Sequence, residues 1–270
     1  MFRAVVTLVV FVVVLRVVAP SKAVFEKMRT NLKPLIFSVD MGGLLLSLSG
    51  IILGILLAAA DYHVQWEAAL ALFLTVIPMH IYMVNSSRWA LVSSALCAVV
   101  TVYLSYGRLF CLESLLLLLF AYFILRLARG TGGRNRAVDA LMTCFLKGPV
   151  ALFGAYFVCT HAFPFWFLLF PALSVGILGA VSDGTRDGYP RGLVSISVMA
   201  GLVLMTVFSL LRVFSLLHFL YLLTVPAFVI LIVRMYTKKE QEPDLFRMAL
   251  ALCTFALAVL TGLGLVGYLL

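Results

Sequence analysis

Residues 35–60, LIFSVDMGGLLLSLSGIILGILLAAA, hold one charged side chain, Asp40, in twenty-six positions. A helix rises about 1.5 Å per residue, so this run is long enough to cross the ~30 Å hydrocarbon core of a bilayer. Without water to hydrogen-bond the backbone, a lone apolar segment of this length satisfies its amides only as a helix. Working outward, the same signature recurs in eight further runs: Trp66 to Val84, Trp89 to Tyr106, Leu109 to Leu125, Ala140 to Cys159, Phe163 to Ser182, Leu193 to Leu211, Phe214 to Val233 and Met248 to Leu270. Short connections make consecutive helices antiparallel neighbours. The expected fold is therefore all-α: a polytopic membrane protein with a nine-transmembrane-helix bundle.

Composition excludes the main alternatives. Of 270 residues 64% are apolar and 11% charged, with a mean hydropathy of +1.16. A water-facing domain of that make-up has too little polar surface to cover itself, and disorder, collagen and coiled coil fail with it. The net charge of +9 would suggest nucleic acid in a soluble chain. Here the basic residues sit between apolar runs, which is membrane topology, so no nucleic-acid partner is expected. Alternate connections hold fifteen Lys and Arg, among them Lys22, Lys27, Arg88, Arg136, Arg191 and Arg234, while the opposite set holds Arg108 and Arg212. Cytoplasmic loops retain Lys and Arg, so the amino end of the bundle is expected in the cytoplasm. The expected location is a bacterial inner membrane with the polar cap facing the cytoplasm. Five cysteines lie singly in apolar runs without a CxxC pair, which indicates neither zinc nor a disulfide framework.

Residues 1–22 stand apart as an N-terminal hydrophobic or interfacial segment, and residues 23–270 form a single domain. Val5 to Leu15 is bracketed by Arg3 and Arg16 and is short for a span. An extra or interfacial helix, a cleaved signal and an upstream start all remain open for it.

Function has to be sought among polar groups whose burial in lipid costs energy. Asp40, His80, Glu113, Lys147 and His218 lie within apolar runs. A sharper feature is the connection Ser182-Asp183-Gly184-Thr185-Arg186-Asp187-Gly188-Tyr189-Pro190-Arg191-Gly192. Its two carboxylates, four residues apart, share one face if the segment is helical. Such a pair can hold Mg²⁺, which completes its shell with water and substrate phosphates, and the neighbouring arginines can clamp a diphosphate. The other reading is a solvated turn in which Asp183 and Asp187 pair with Arg186 and Arg191. A second basic connection on the same side, Arg129-Gly130-Thr131-Gly132-Gly133-Arg134-Asn135-Arg136, lacks P-loop spacing and reads equally well as a topogenic turn. Together with Lys22 to Lys33 these loops make a cationic mouth for a phosphorylated lipid.

Three segments resemble the UbiA superfamily of intramembrane aromatic prenyltransferases, particularly the branch that prenylates dihydroxynaphthoate. Arg29-Thr30-Asn31-Leu32-Lys33-Pro34 is similar to the family's opening before its first span. Gly148-Pro149 and the helix through Val158 are similar to its fifth helix, and Asp183-Gly184-Thr185-Arg186-Asp187 falls where the family carries Asn-Asn-x-Arg-Asp. The resemblance implies transfer of a polyprenyl group from a polyprenyl diphosphate to an aromatic acceptor, with Mg²⁺ held between two Asp-rich motifs. It implies catalytic roles for Arg186 and Asp187, metal binding by Asp183 and Asp187, and substrate recognition by Arg29, Lys33, Asn85 and Arg134. Tyr82, Tyr103, Tyr122, Tyr156, Phe157 and Trp166 are candidates for lining an isoprenoid channel. The chain departs from the family in its first motif, where Asn85 is the sole match, and in the second, where Arg191 stands in place of a further Asp. Losing those carboxylates implies reduced or altered activity. An isoprenoid-binding or scaffolding membrane protein without catalysis is the alternative, and a transporter ranks below it for want of an inverted repeat or proton relay.

Overall fold

The computed structural model describes residues 40–61, 64–85, 88–104, 136–162, 165–186, 188–212, 216–237 and 243–269. They are arranged as α1 (Met41–Asp61), α2 (Trp66–Asn85), α3 (Arg88–Leu104), α4 (Arg136–Phe145), α5 (Ala151–Thr160), α6 (Leu169–Arg186), α7 (Arg191–Leu211), α8 (Val225–Thr237) and α9 (Pro243–Leu269). A π-helical turn, Leu146–Val150, joins α4 to α5, and 3-10 segments at Trp166–Leu168 and Leu216–Thr224 precede α6 and α8. No strand occurs among the described residues.

Six helical rods are long and apolar enough to cross a membrane: Met41–Asp61, Val138–Thr160, Trp166–Thr185, Arg191–Leu211, Phe219–Thr237 and Asp244–Val266. The apolar parts of α2 and α3, Trp66–Tyr82 and Arg88–Thr101, are shorter. The run Leu109 to Leu125 lies outside the described residues, as does residues 1–22. The described residues thus form an all-α bundle with six rods long and apolar enough to span a membrane, where nine spans were expected from sequence.

Helix α1 is the centre of the bundle. It packs most extensively on α9 and lies also against α5, while α2 pairs with α3 and α6 with α7. Leu46, Leu53 and Leu57 of α1 are fully buried, as are Leu152 and Tyr156 of α5, Leu178 of α6 and Phe228 of α8. Glycines set the closest approaches. Gly50 and Gly54 let α1 rest on the carbonyls of Lys147 and Leu152, and Gly148 and Gly176 meet the carbonyls of Ala172 and Cys144 across the π turn and α6. Small residues four apart permit this contact between helices whose association in lipid depends on tight packing.

Outer faces carry the opposite pattern. Trp89, Leu96, Val99 and Tyr103 on α3 and Ile196, Met199 and Val203 on α7 are exposed apolar side chains, as a lipid-facing surface requires. Buried hydroxyls are satisfied locally by carbonyls four residues back, as with Ser47 on Gly43, Thr75 on Ala71 and Thr254 on Leu250. Others tie helices together. Ser174 donates to the Gly201 carbonyl at 2.7 Å and Tyr221 to Thr206 at 2.9 Å.

Candidate functional site

Four segments bring charged side chains to one rim of the bundle. Asp40 opens α1 in the left-handed region, with φ of 48°, a conformation that aspartate tolerates better than most residues. There its carboxylate accepts from the Gly43 amide at 3.3 Å, capping the helix, and its carbonyl meets His80 Nε2 of α2 at 3.1 Å. Gly43 leaves the room this needs, since a Cβ would come within 2.9 Å of the His80 ring.

Arg247, in the first turns of α9, faces this carboxylate edge on. Its Nη1 donates to Asp40 Oδ1 at 2.5 Å and its Nη2 to Asp40 Oδ2 at 3.0 Å. The same guanidinium reaches Asp183 near the end of α6, with Nη2 and Nε donating to Oδ1 at 2.6 and 3.1 Å. Lys147, from the π turn, donates to Asp183 Oδ2 at 2.6 Å. Its aliphatic stem lies over Gly179, one turn before Asp183, where a Cβ would be 3.2 Å from the lysine Cδ. Ser182 fixes the register of α6 on α9 by donating to the Arg247 carbonyl at 3.1 Å.

Two anions and two cations thus close on one another, so the cluster is formally neutral. Arg247 and Lys147 are only 9% and 12% exposed, so water screens these pairs little. Burial by itself pushes the Asp40 carboxyl up. The Arg247 guanidinium, through its hydrogen bonds and charge, together with the Gly43 amide, outweighs that burial and the like charge of Asp183, and holds Asp40 below the usual carboxylate value.

An unlike cluster marks the opposite rim. Asp61, at the far end of α1, pairs with Arg212 after α7 and accepts from Tyr156 of α5 at 3.1 Å. Arg212 also lies 5.0 Å above the Phe167 ring.

Among the residues singled out from sequence, Asp183 lies in the first cluster. Arg186 ends α6 three residues later, where the turn through Gly188, with φ of 76°, folds Tyr189 back so that its amide meets the Gly184 carbonyl at 3.1 Å. Asn85 ends α2, whose His80 touches Asp40. Five residues separate them, about 7.5 Å along a helix axis, so the ends of α2 and α6 belong to the same rim. Arg29, Lys33, Arg134 and Asp187 lie outside the described residues, as do Glu113 and Tyr122. Tyr156 belongs to the opposite rim, and Tyr103 and Trp166 are exposed.

The described residues do not fit Mg²⁺. Both Asp183 oxygens already receive hydrogen bonds from side-chain cations, and Arg247 holds both oxygens of Asp40. A dication placed there would face two fixed positive charges, and no group of three His, Cys, Asp or Glu side chains suited to a metal occurs among the described residues. Sequence reasoning missed Arg247 as a site residue because it directly precedes the run from Met248 and reads as a topology signal. No family model matches the chain, and no curated protein or solved structure does.

Proposed function

We propose that the chain is a UbiA-like membrane protein that takes a polyprenyl diphosphate at its cytoplasmic rim, in a bacterial inner membrane, and transfers the prenyl group to an aromatic acceptor of the dihydroxynaphthoate type. The observation that supports this reading is the convergence of Asp40, Lys147, Asp183 and Arg247 at the end of α6 that bears Arg186. A charged headgroup needs such a rim, while the isoprenoid tail needs only the apolar bundle below it. In the reaction the allylic C–O bond breaks with its electron pair passing to the diphosphate, an acceptor ring carbon bonds to the allylic carbon, and the hydrogen on that ring carbon leaves as a proton to the diphosphate. Arginine and lysine favour this step by stabilising charge that grows on the leaving group. The residues assigned to it are Arg186 and Asp187, with Asp183 holding the neighbouring cations in place and Arg29, Lys33, Asn85 and Arg134 contributing headgroup or acceptor recognition.

A second reading, an isoprenoid-binding or scaffolding protein without transfer, is favoured by one observation: Asp183 is engaged by two side-chain cations. Purified protein incubated with a polyprenyl diphosphate, dihydroxynaphthoate and Mg²⁺ separates the two. Prenylated product that disappears in Asp187→Ala is the expected result. Product that survives Asp187→Ala overturns the residue assignment, and bound prenyl lipid without release of diphosphate establishes the second reading instead.

A further inference from the structure

We infer that this rim recognises a diphosphate group through the fixed cations Lys147 and Arg247, in the manner of a metal-free site, with Asp40 and Asp183 as counter-ions that the ligand displaces. The inference rests on the headgroup reading above but concerns how that group is held. In a metal-dependent rim a divalent ion would bridge carboxylates from separate helices. Here the guanidinium of Arg247 bridges Asp40 of the first helix and Asp183 of α6, each at 2.5–2.6 Å at its nearest oxygen. The bridging place is therefore filled by a group that is part of the chain. A planar guanidinium that grips one carboxylate with two N–H groups has the geometry to grip two phosphate oxygens likewise.

Several features make the exchange feasible. Lys147 sits on the π turn, where Pro149 removes an amide donor and the helical ladder is already widened. Asp40 holds a left-handed backbone conformation at the head of α1, outside the regular turns of the helix. Because the cluster is neutral, an incoming anion gains the two cations only by competing with the aspartates. Removing one aspartate charge should therefore strengthen binding. A purely structural cluster predicts no such gain, so the sign of this effect decides between the two roles.

The test uses full-length protein in nanodiscs of neutral lipid with EDTA present, titrated calorimetrically with inorganic pyrophosphate and separately with a polyprenyl diphosphate. Saturable binding of the polyprenyl compound without any divalent ion is expected. Comparable affinity for pyrophosphate would identify a soluble diphosphate as the natural ligand, and a clear preference for the prenylated form would identify the lipid, each outcome being consistent with the site. Lys147→Gln should weaken binding about tenfold, the equivalent of one charge-assisted hydrogen bond, with Lys147→Arg restoring it, and Asp40→Asn should tighten it although it lowers thermal stability. Size-exclusion profiles identify variants that remain folded. Binding by wild-type protein that needs Mg²⁺, or an Asp40→Asn protein that folds and binds no more tightly, would overturn the proposal. Metal-free binding without any transfer product would remove the transferase reading and leave this inference standing.

Discussion

Arg247 shows how much one side chain can hold together. Its guanidinium contacts carboxylates from two other helices, and its carbonyl accepts from Ser182 of α6. Removing one member of such a buried set strands its partner's charge, a loss of about 3–5 kcal/mol. Asp40 gives this arrangement a pH signature. Its native carboxyl lies below the ordinary 3.8, so the stability it contributes is complete above that value and disappears as pH falls through the depressed native value. Thermal unfolding in detergent should thus find wild type more stable than Asp40→Asn by a constant margin from about pH 7 to pH 5, with the margin shrinking below about pH 4. A margin unchanged at pH 3 would show that the Asp40 charge contributes nothing. Asp40 and Lys147 were legible in the sequence as charges in apolar runs. Their pairings were not, because Asp40 and Arg247 are 207 residues apart and no local spacing records such a contact.

Helix positions were more legible than helix ends. The run from Trp66 to Val84 became Trp66–Asn85, and that from Leu193 to Leu211 became Arg191–Leu211, but α9 begins at Pro243, five residues before the apolar run does. Hydropathy marks what dissolves in lipid, whereas hydrogen bonding carries a helix on through Asp244 and Arg247 into the interface. The π turn gave no signal beyond Gly148-Pro149, since widening of the ladder depends on how α4 and α5 meet α6. Glycine contacts make the packing testable. Gly148→Leu and Gly50→Leu place side chains against neighbouring backbone and should each lower stability by about 1–3 kcal/mol or more. Gly192→Ala, with open space around it, should stay within about 0.5 kcal/mol. Equal melting temperatures for the Gly148→Leu and Gly192→Ala proteins would refute the close approach of the π turn to α6.

At the scale of the molecule, charge sorts the two rims. Arg88, Arg136, Arg191, Arg234 and Arg247 stand at helix starts or ends on the side of Asp183, while Asp61 and Arg212 meet on the other. That asymmetry was readable from the loops alone, because topology depends on the sum of many short-loop charges rather than on any pairing. It predicts a labelling pattern on α7. In a background with the native cysteines replaced, Leu211→Cys should react with a membrane-impermeant maleimide from outside intact cells, and Arg191→Cys only after permeabilisation. The reverse pattern would invert the protein in its membrane.

Asp40 precedes and Asp61 ends the twenty-one residues of α1, and each is gripped by an arginine from elsewhere in the chain. At about 1.5 Å per residue the helix between them is roughly 31 Å long, close to the hydrocarbon depth of an ordinary bilayer. Pinned at both extremities, α1 leans or slides only together with the helices that hold it when the surrounding lipid thins or thickens. It behaves as a ruler set into the protein, and any mismatch falls on the bilayer itself or on the tilt of the bundle as a whole, which makes the acyl-chain length of the host membrane a control on how the charged rims sit in water.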